Sequence, residues 1–418
     1  MLILLLLGME VAVAFGVVGS LSLLFLLGQS QLQIASSAWS TGNVVEFTAA
    51  PLFIFMGAVL AHAGIMTELF DVAQKWLGRF PGGMACSVVG ANAIFGAMSG
   101  SNVAAVATFG KAVYPEMERQ GYSPAIGLPA IAVGGTIAVL IPPSLILIIY
   151  GGWQAVSVAQ LFAGGMIPGI ILSIMLILTV IIRVKLNPSL APKPLSYSWR
   201  ERLIAIRGLM PWLVVIVLVL GAIFGGIMTP TEAGALGAFL SIALALYYRK
   251  MSYEVLKRSF LDATRVTSVL IFIICMAKVI VFVFQRIGIT EIVSDAIIDL
   301  EWGKYGTLAL FYLFYLILGM FFDSISMMLL TLPFVMPVIM YLGLSPLWFG
   351  VVYVVVAEIG MITPPFGINL FILQSVVPKY DVMTIARGCV PFLVPMLLFV
   401  ALLTAFPQLA LWLPRLMF

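Results

Sequence analysis

The chain has 418 residues, of which 63% are hydrophobic and only 9% charged, with a formal net charge of +4 at pH 7. A water-facing globular surface carries roughly 25% charged residues, so this composition excludes a soluble domain and sets most of the outer surface against hydrocarbon. The small basic excess is what cytoplasmic loops of membrane proteins carry, and it implies no nucleic-acid partner.

The first apolar run, residues 3–27, lacks an initial basic cluster and a small-residue cleavage site, which predicts a retained span rather than a secretory signal. A second crossing is predicted at 47–65, after an outer loop that carries Glu46. Residues 124–150 and 160–183 supply two more, so both ends of residues 1–183 lie on one side. Residues 184–222, with Pro188, Pro192 and Pro194 near their start, predict a cytoplasmic linker and a connecting span, the crossing itself covering 209–228. Thr229, Pro230 and Glu232 then form a helix start, with proline at N1 and a T-x-x-E capping box.

A shift of 222 residues sets Pro115 on Pro337, Gly121 on Gly343, Ser123 and Pro124 on Ser345 and Pro346, and Pro142 and Pro143 on Pro364 and Pro365; Glu10 also meets Glu232. Matches at one offset predict a duplication, 1–183 and 223–405, with 406–418 as a tail. A single crossing joins two halves of even crossing number, so the second half enters from the opposite face and the repeats are inverted. The basic residues agree: 17 of the 21 Lys and Arg fall on the predicted inner side, leaving Lys278, Arg286, Lys304 and Arg415.

Residues 83–110 begin and end near the inner face, which predicts a re-entrant hairpin with Ser99, Gly100, Ser101 and Asn102 at its tip. Irregular backbone at that depth is tolerated only against protein or a cavity. The same shift predicts a second hairpin at 305–332, with Asp323, Ser324 and Ser326 opposite Ser101, Asn102 and Ala104. Two paired prolines interrupt the crossings at 124–150 ("GGTIAVLIPPS") and 346–372 ("EIGMITPPFGIN"). Proline removes an amide donor and frees carbonyl oxygens, which with Ser and Thr hydroxyls suit a dehydrated Na+, while nearby helix N-termini favour an anion. Close packing of small residues is the structural alternative for any one serine.

Asp323 is the sharpest candidate, because an ionisable group inside the bilayer is costly; a salt bridge to Lys278 is its structural alternative. Glu10 and Glu358 fall near predicted span ends and Glu46 in a loop, so none is expected as a ligand. His62 is the only histidine, and Cys86, Cys275 and Cys389 are far apart in apolar segments. This offers no zinc or transition-metal site, and no haem or flavin motif is present, so no organic cofactor is expected. An intramembrane enzyme using Asp323 or a serine lacks both a second catalytic aspartate and a histidine base.

The ordered set "GAMSGSNVAAVATFG", "LIPPSLILIIYG", "LFAGGMIPG", "TPTEAGALGA", "GMFFDS" and "ITPPFGINLF" resembles the large membrane subunit of tripartite ATP-independent periplasmic (TRAP) transporters over nearly the whole chain. The resemblance implies an all-α polytopic protein of the bacterial inner membrane, surrounded by lipid: an inverted-repeat, elevator-type transporter with two re-entrant helical hairpins. It implies Na+-coupled import of an organic acid, such as a sialic acid or a C4-dicarboxylate, delivered by a periplasmic substrate-binding protein. A small four-helix membrane subunit is expected as a separate chain. Hairpins and broken helices would move against a scaffold through arms near 66–80 and 288–302. Carried over by motif, Ser99, Ser101 and Asn102, with Gly135, Thr136 and Pro142, would hold one Na+, and Asp323, Ser324, Gly360 and Thr363 another. Ser99, Ser144, Asp323 and Asn369 would face the substrate. Glu10 stands where the family usually has proline, and Asn102 where relatives often have serine. A stand-alone ion-coupled anion or dicarboxylate carrier of related inverted-repeat fold is the other function such a chain could serve.

Overall fold

Hydroxyl and carboxylate side chains at helix entries set many of the element boundaries. Ser101, Ser123, Ser144, Ser157, Thr229, Ser252, Asp323 and Ser345 each accept a backbone N–H of the first helical turn, satisfying donors that have no partner within the helix. The computed structural model describes residues 4, 8–28 and 31–418, and no strand occurs among them; the start of the first predicted span lies mostly outside the described residues.

The first half runs α1 (Val11–Leu21, continued by a π turn over Ser22–Leu26), α2 (Gln31–Gly42), α3 (Ala49–His62), α4 (Met66–Leu77), α5 (Gly83–Ser99), α6 (Asn102–Ala112), α7 (Tyr114–Arg119), α8 (Pro124–Ile137), α9 (Leu145–Gln154) and α10 (Val158–Leu186). After α11 (Trp199–Phe224) the second half runs α12 (Pro230–Tyr247), α13 (Tyr253–Arg286), α14 (Ile289–Ile298), α15 (Gly303–Gly319), α16 (Ser324–Tyr341), α17 (Pro346–Met361), α18 (Ile368–Val376) and α19 (Val382–Ala405), and α20 (Gln408–Met417) follows. Asn102 and Ser324 open α6 and α16, and Pro124 and Pro346 open α8 and α17, each pair at the offset of 222 residues found in the sequence. The Pro142–Pro143 and Pro364–Pro365 peptide bonds are both cis.

The halves differ in one place. α13 is a single helix of 34 residues, whereas its counterpart is divided into α2 and α3 by the Gly42–Asn43 turn and a 3-10 turn over Val45–Thr48. The sequence placed an outer loop over the residues that form α2; exposed Glu46 does lie in the turn. The polar stretch after 183 is also more helical than its charge suggests. α10 continues to Leu186, and a capping box of Ser198 and Glu201 starts α11, because Arg and Lys are good helix formers and favour a helix C-terminus.

Seven helices among the described residues are long and apolar enough to cross a membrane. α5, α8, α9, α15 and α17 are apolar but shorter. α8 and α17 are buried almost all round, as expected of helices without a polar face at the centre of a bundle. α8 packs on α5, α6 and α19, and α17 on α15, α16 and α19. A second layer crosses the repeats: α13 packs on α1, α2 and α3, and α12 on α3. Outer faces are apolar, as in the stripe Ile170, Ile174, Leu178 and Ile182 of α10, whose spacing of one turn presents it to lipid.

α7 is tied to the loop before α19: Glu118 accepts hydrogen bonds from Lys379 Nζ (2.6 Å) and Tyr380 OH (2.7 Å). These two bonds hold the Glu118 carboxyl below the usual carboxylate range. A depressed folded-state pKa stabilises the fold above the unfolded value, and that contribution is lost as pH falls through the folded one. Lys379→Met should therefore lower the melting temperature near neutral pH, with the difference from the parent fading in acid. A difference that persists unchanged in acid would assign the effect to packing.

Candidate functional site

α5 ends at Ser99, and Gly100, with φ +58°, turns the chain so that α6 starts at Asn102. A Cβ on Gly100 would lie 2.6 Å from the Pro143 carbonyl oxygen: the tip meets the interrupted segment between α8 and α9 backbone to backbone, and only glycine fits both the turn and the approach. Ser101 Oγ accepts the Ala104 N–H at 3.3 Å. Ser99 is 2% exposed, and its Oγ has no hydrogen-bond partner.

At the second tip Asp323 caps α16, its carboxylate accepting the N–H groups of Ile325 and Ser326 at 3.0 Å each. The salt bridge considered from the sequence is not formed: Lys278 lies over the Trp153 ring, 5.1 Å from its centroid. Ser326 Oγ is fully buried without a partner.

Between the tips lies a carboxylate that the sequence placed at a span end. Glu358, in the last turn of α17, is 1% exposed. Asn102 Nδ2 donates to both of its oxygens (3.1 and 2.9 Å), and Ser324 Oγ donates to Oε1 at 3.0 Å. Asn102 and Ser324 are the first residues of α6 and α16, so two helix N-termini from opposite repeats converge on one carboxylate. The anion-favouring ends expected at the tips thus face a carboxyl group of the protein itself.

The broken helices complete the surroundings. Ser144, fully buried, caps α9 by accepting the Leu147 N–H at 3.3 Å. Thr136 donates to Val133 O within α8 at 2.7 Å, and Thr363, just past the end of α17, donates back to Ile359 O at 2.6 Å, which leaves oxygen lone pairs available. Asn369 is fully buried, and neither Oδ1 nor Nδ2 has a partner. A Cβ on Gly135 would sit 2.4 Å from Val106 Cγ2, and one on Gly360 2.7 Å from Gly319 Cα, so both glycines serve close approach of hairpin to broken helix.

A cavity of about 600 Å³ joins these parts. Ser99, Ser101, Asn102, Asp323 and Ser324 line it. From α3 and α13 the lining also takes His62, Asp262 and Arg265. His62 Nε2 and Asp262 Oδ2 are 2.6 Å apart, and Arg265 has no ion-pair partner among the described residues. No group of three His, Cys, Asp or Glu side chains that could hold a metal ion occurs among the described residues. The donors at the tips are hydroxyl, amide, carbonyl and carboxylate oxygens, the set a hard monovalent cation takes.

The model of the family "Tripartite ATP-independent periplasmic transporter, DctM component" matches residues 1–409. The chain belongs to this family. It is 32% identical to the C4-dicarboxylate TRAP transporter large permease protein DctM of Vibrio cholerae, over 98% of this chain and 95% of the relative. It is 29% identical to the sialic acid TRAP transporter large permease protein SiaM of the same organism, over 90% and 88% of the two chains. Among solved structures the MtrF efflux pump of Neisseria gonorrhoeae superposes with a TM-score of 0.62 at 14% identity, covering 90% of this chain and 83% of that one, a likeness of fold alone. These TRAP relatives are permeases, not enzymes.

The TRAP permease thus gathers Ser99, Ser101, Asn102, Asp323 and Ser324 around one cavity. Gly135, Thr136 and Gly360, on the broken helices, and Pro142 and Thr363, in the breaks that follow them, are not part of that lining. Ser144 and Asn369 sit one residue from the lining residues Leu145 and Ile368. Glu358 was missed. The signal was present: it is the only charged residue in the run "PLWFGVVYVVVAEIGM" of α17.

Proposed function

We propose that this TRAP permease is the large membrane subunit of a Na+-coupled importer in the bacterial inner membrane, taking an organic acid from a periplasmic substrate-binding protein and moving it by an elevator motion. The single observation that carries the proposal is the convergence of two polar hairpin tips, one from each repeat, on one cavity beside two interrupted helices. A substrate anion and a cation need opposite partners close together, and this cavity supplies both. Arg265, in the same lining, offers a guanidinium to a carboxylate. Ser99 Oγ in the same lining, and Ser326 Oγ in the turn that Asp323 caps, offer unpaired buried oxygens.

Ser99, Ser101 and Asn102, with the α8 break at Gly135, Thr136 and Pro142, form one Na+ site in this proposal, and Asp323, Ser324, Gly360 and Thr363 the other. Bound Na+ supplies positive charge that neutralises an anionic cavity; the protein's part is to present fixed oxygens. Ser144 and Asn369 cap or open the helices that follow each break and so orient the wall the substrate meets. The names of the relatives, which cite a C4-dicarboxylate and a sialic acid, support a carboxylate as the substrate class.

Uptake of labelled organic acids into proteoliposomes that hold this chain and its small four-helix subunit tests the proposal. Uptake should require both the cognate binding protein and an inward Na+ gradient. Equal uptake by the large chain alone would replace the tripartite importer with a stand-alone carrier.

A further inference from the structure

We infer that Glu358 is the anionic centre of a monovalent-cation site that ties the two hairpin tips together. No assignment carried over from the family motifs includes this residue. The inference rests on the ion-coupled proposal only for what the cation accomplishes, since binding itself follows from local chemistry.

A fully buried carboxylate without a positive partner is costly, by several kcal/mol after relaxation. Glu358 takes part in none of the ion pairs among the described residues. Its neighbours are neutral donors: the Asn102 amide and the Ser324 hydroxyl. Hydrogen bonds lower the cost of such a charge but do not balance it. A carboxylate has about four lone-pair positions, and three are used, so one position, on Oε2, remains to take a ligand. Glu358 belongs to no group of three His, Cys, Asp or Glu side chains among the described residues, and its one carboxylate charge matches one positive charge rather than two.

Access is built in. Asn102, Ser324 and Met361 line the cavity, with Glu358 behind them. Met361 Sδ lies 3.2 Å from Asn102 Nδ2 and 3.0 Å from Ser324 Oγ, so the flexible thioether covers the path. Asn102 is held at both ends, its Oδ1 accepting the Val103 N–H at 2.7 Å. Tyr353 OH donates to the Ser324 carbonyl at 2.5 Å, which fixes the other donor. Asn102 and Ser324 begin helices of different repeats, so a cation at Glu358 acts on both tips at once, whereas a site within one tip acts on one.

The test is thermal unfolding of the purified full-length complex without substrate, in NaCl against equimolar choline chloride. Na+ should raise the melting temperature in a saturable way, and Glu358→Gln should clearly reduce that shift, leaving only what the two tip sites contribute, while melting in choline no lower than the parent. Glu358→Asp, which keeps the charge but withdraws it by one methylene, should retain the shift at a higher half-saturating concentration. Loss of the carboxylate should weaken Na+ binding by more than about a hundredfold, the size expected when one member of a buried charge pair is removed. A Glu358→Gln protein with the full Na+ shift overturns the inference, as does a parent protein that Na+ does not stabilise; the carboxyl then keeps its place by carrying a proton. A Glu358-dependent shift without Na+-driven uptake would leave the site standing and remove the transport proposal. Na+-driven uptake with an intact shift in Glu358→Gln would do the reverse.

Discussion

Asp323→Asn should abolish Na+-driven uptake, by at least about a hundredfold, while leaving the protein as stable as the parent to within a few tenths of a kcal/mol. The two halves of that expectation come from two functions of one carboxylate. As the cap of α16 it accepts the Ile325 and Ser326 N–H groups, and asparagine caps helices as well as aspartate does. As a half-buried charge lining the cavity beside Ser324, it supplies a full negative charge that asparagine lacks. Asp323→Ala removes both and should cost about 1 kcal/mol of stability as well. Uptake and melting temperature measured on the two variants separate the roles. If Asp323→Asn transports at the parent rate and only Asp323→Ala fails, the residue is a cap and the cation site lies elsewhere.

What the sequence made legible were features decided by local rules. Serine or aspartate before a helix, proline at its first position, and glycine where φ is positive each leave a mark within four residues. Such marks carried the 222-residue register: Gly121 and Gly343 both have positive φ, and Pro124 and Pro346 both open helices. The polar hairpin tips were legible for the same reason. Glu358 was not, because its meaning depends on partners 256 and 34 residues away, and because the repeat offers no echo. The position 222 residues earlier is Thr136, whose hydroxyl turns back to Val133 O within its own helix. Symmetry singled out positions the two halves share and was silent where one half departs. Composition had the same weakness for α2, whose serines and glutamine look like loop until its packing against α13 is seen.

Gly96→Leu and Gly360→Leu should each cost about 3 kcal/mol or more and sharply reduce the yield of folded protein, by overpacking a rigid contact. A Cβ at Gly96 would fall 2.3 Å from Ala138 Cα, and one at Gly360 2.7 Å from Gly319 Cα. Both obstacles are backbone, which cannot rotate away as a long side chain would. In the repeat register Ala138 corresponds to Gly360, so the two clashes describe one contact made twice: the first helix of each hairpin against the helix that breaks beside it. Against a total stability of about 5–15 kcal/mol, such a loss is a large fraction. Gly221→Ala, at a helical glycine of α11 with nothing within 4 Å of the added methyl, is the matched control and should be neutral or slightly stabilising. Fluorescence-detected size exclusion and thermal melts on the three variants decide it, and a well-folded Gly360→Leu would mean that this contact opens in the native protein. Where the contacts are as tight as the geometry requires, hairpin and broken helix cannot slide past each other, so each tip must move together with its break. For the proposed elevator motion, that is the mechanical condition for carrying ligands across a membrane without dismantling their site.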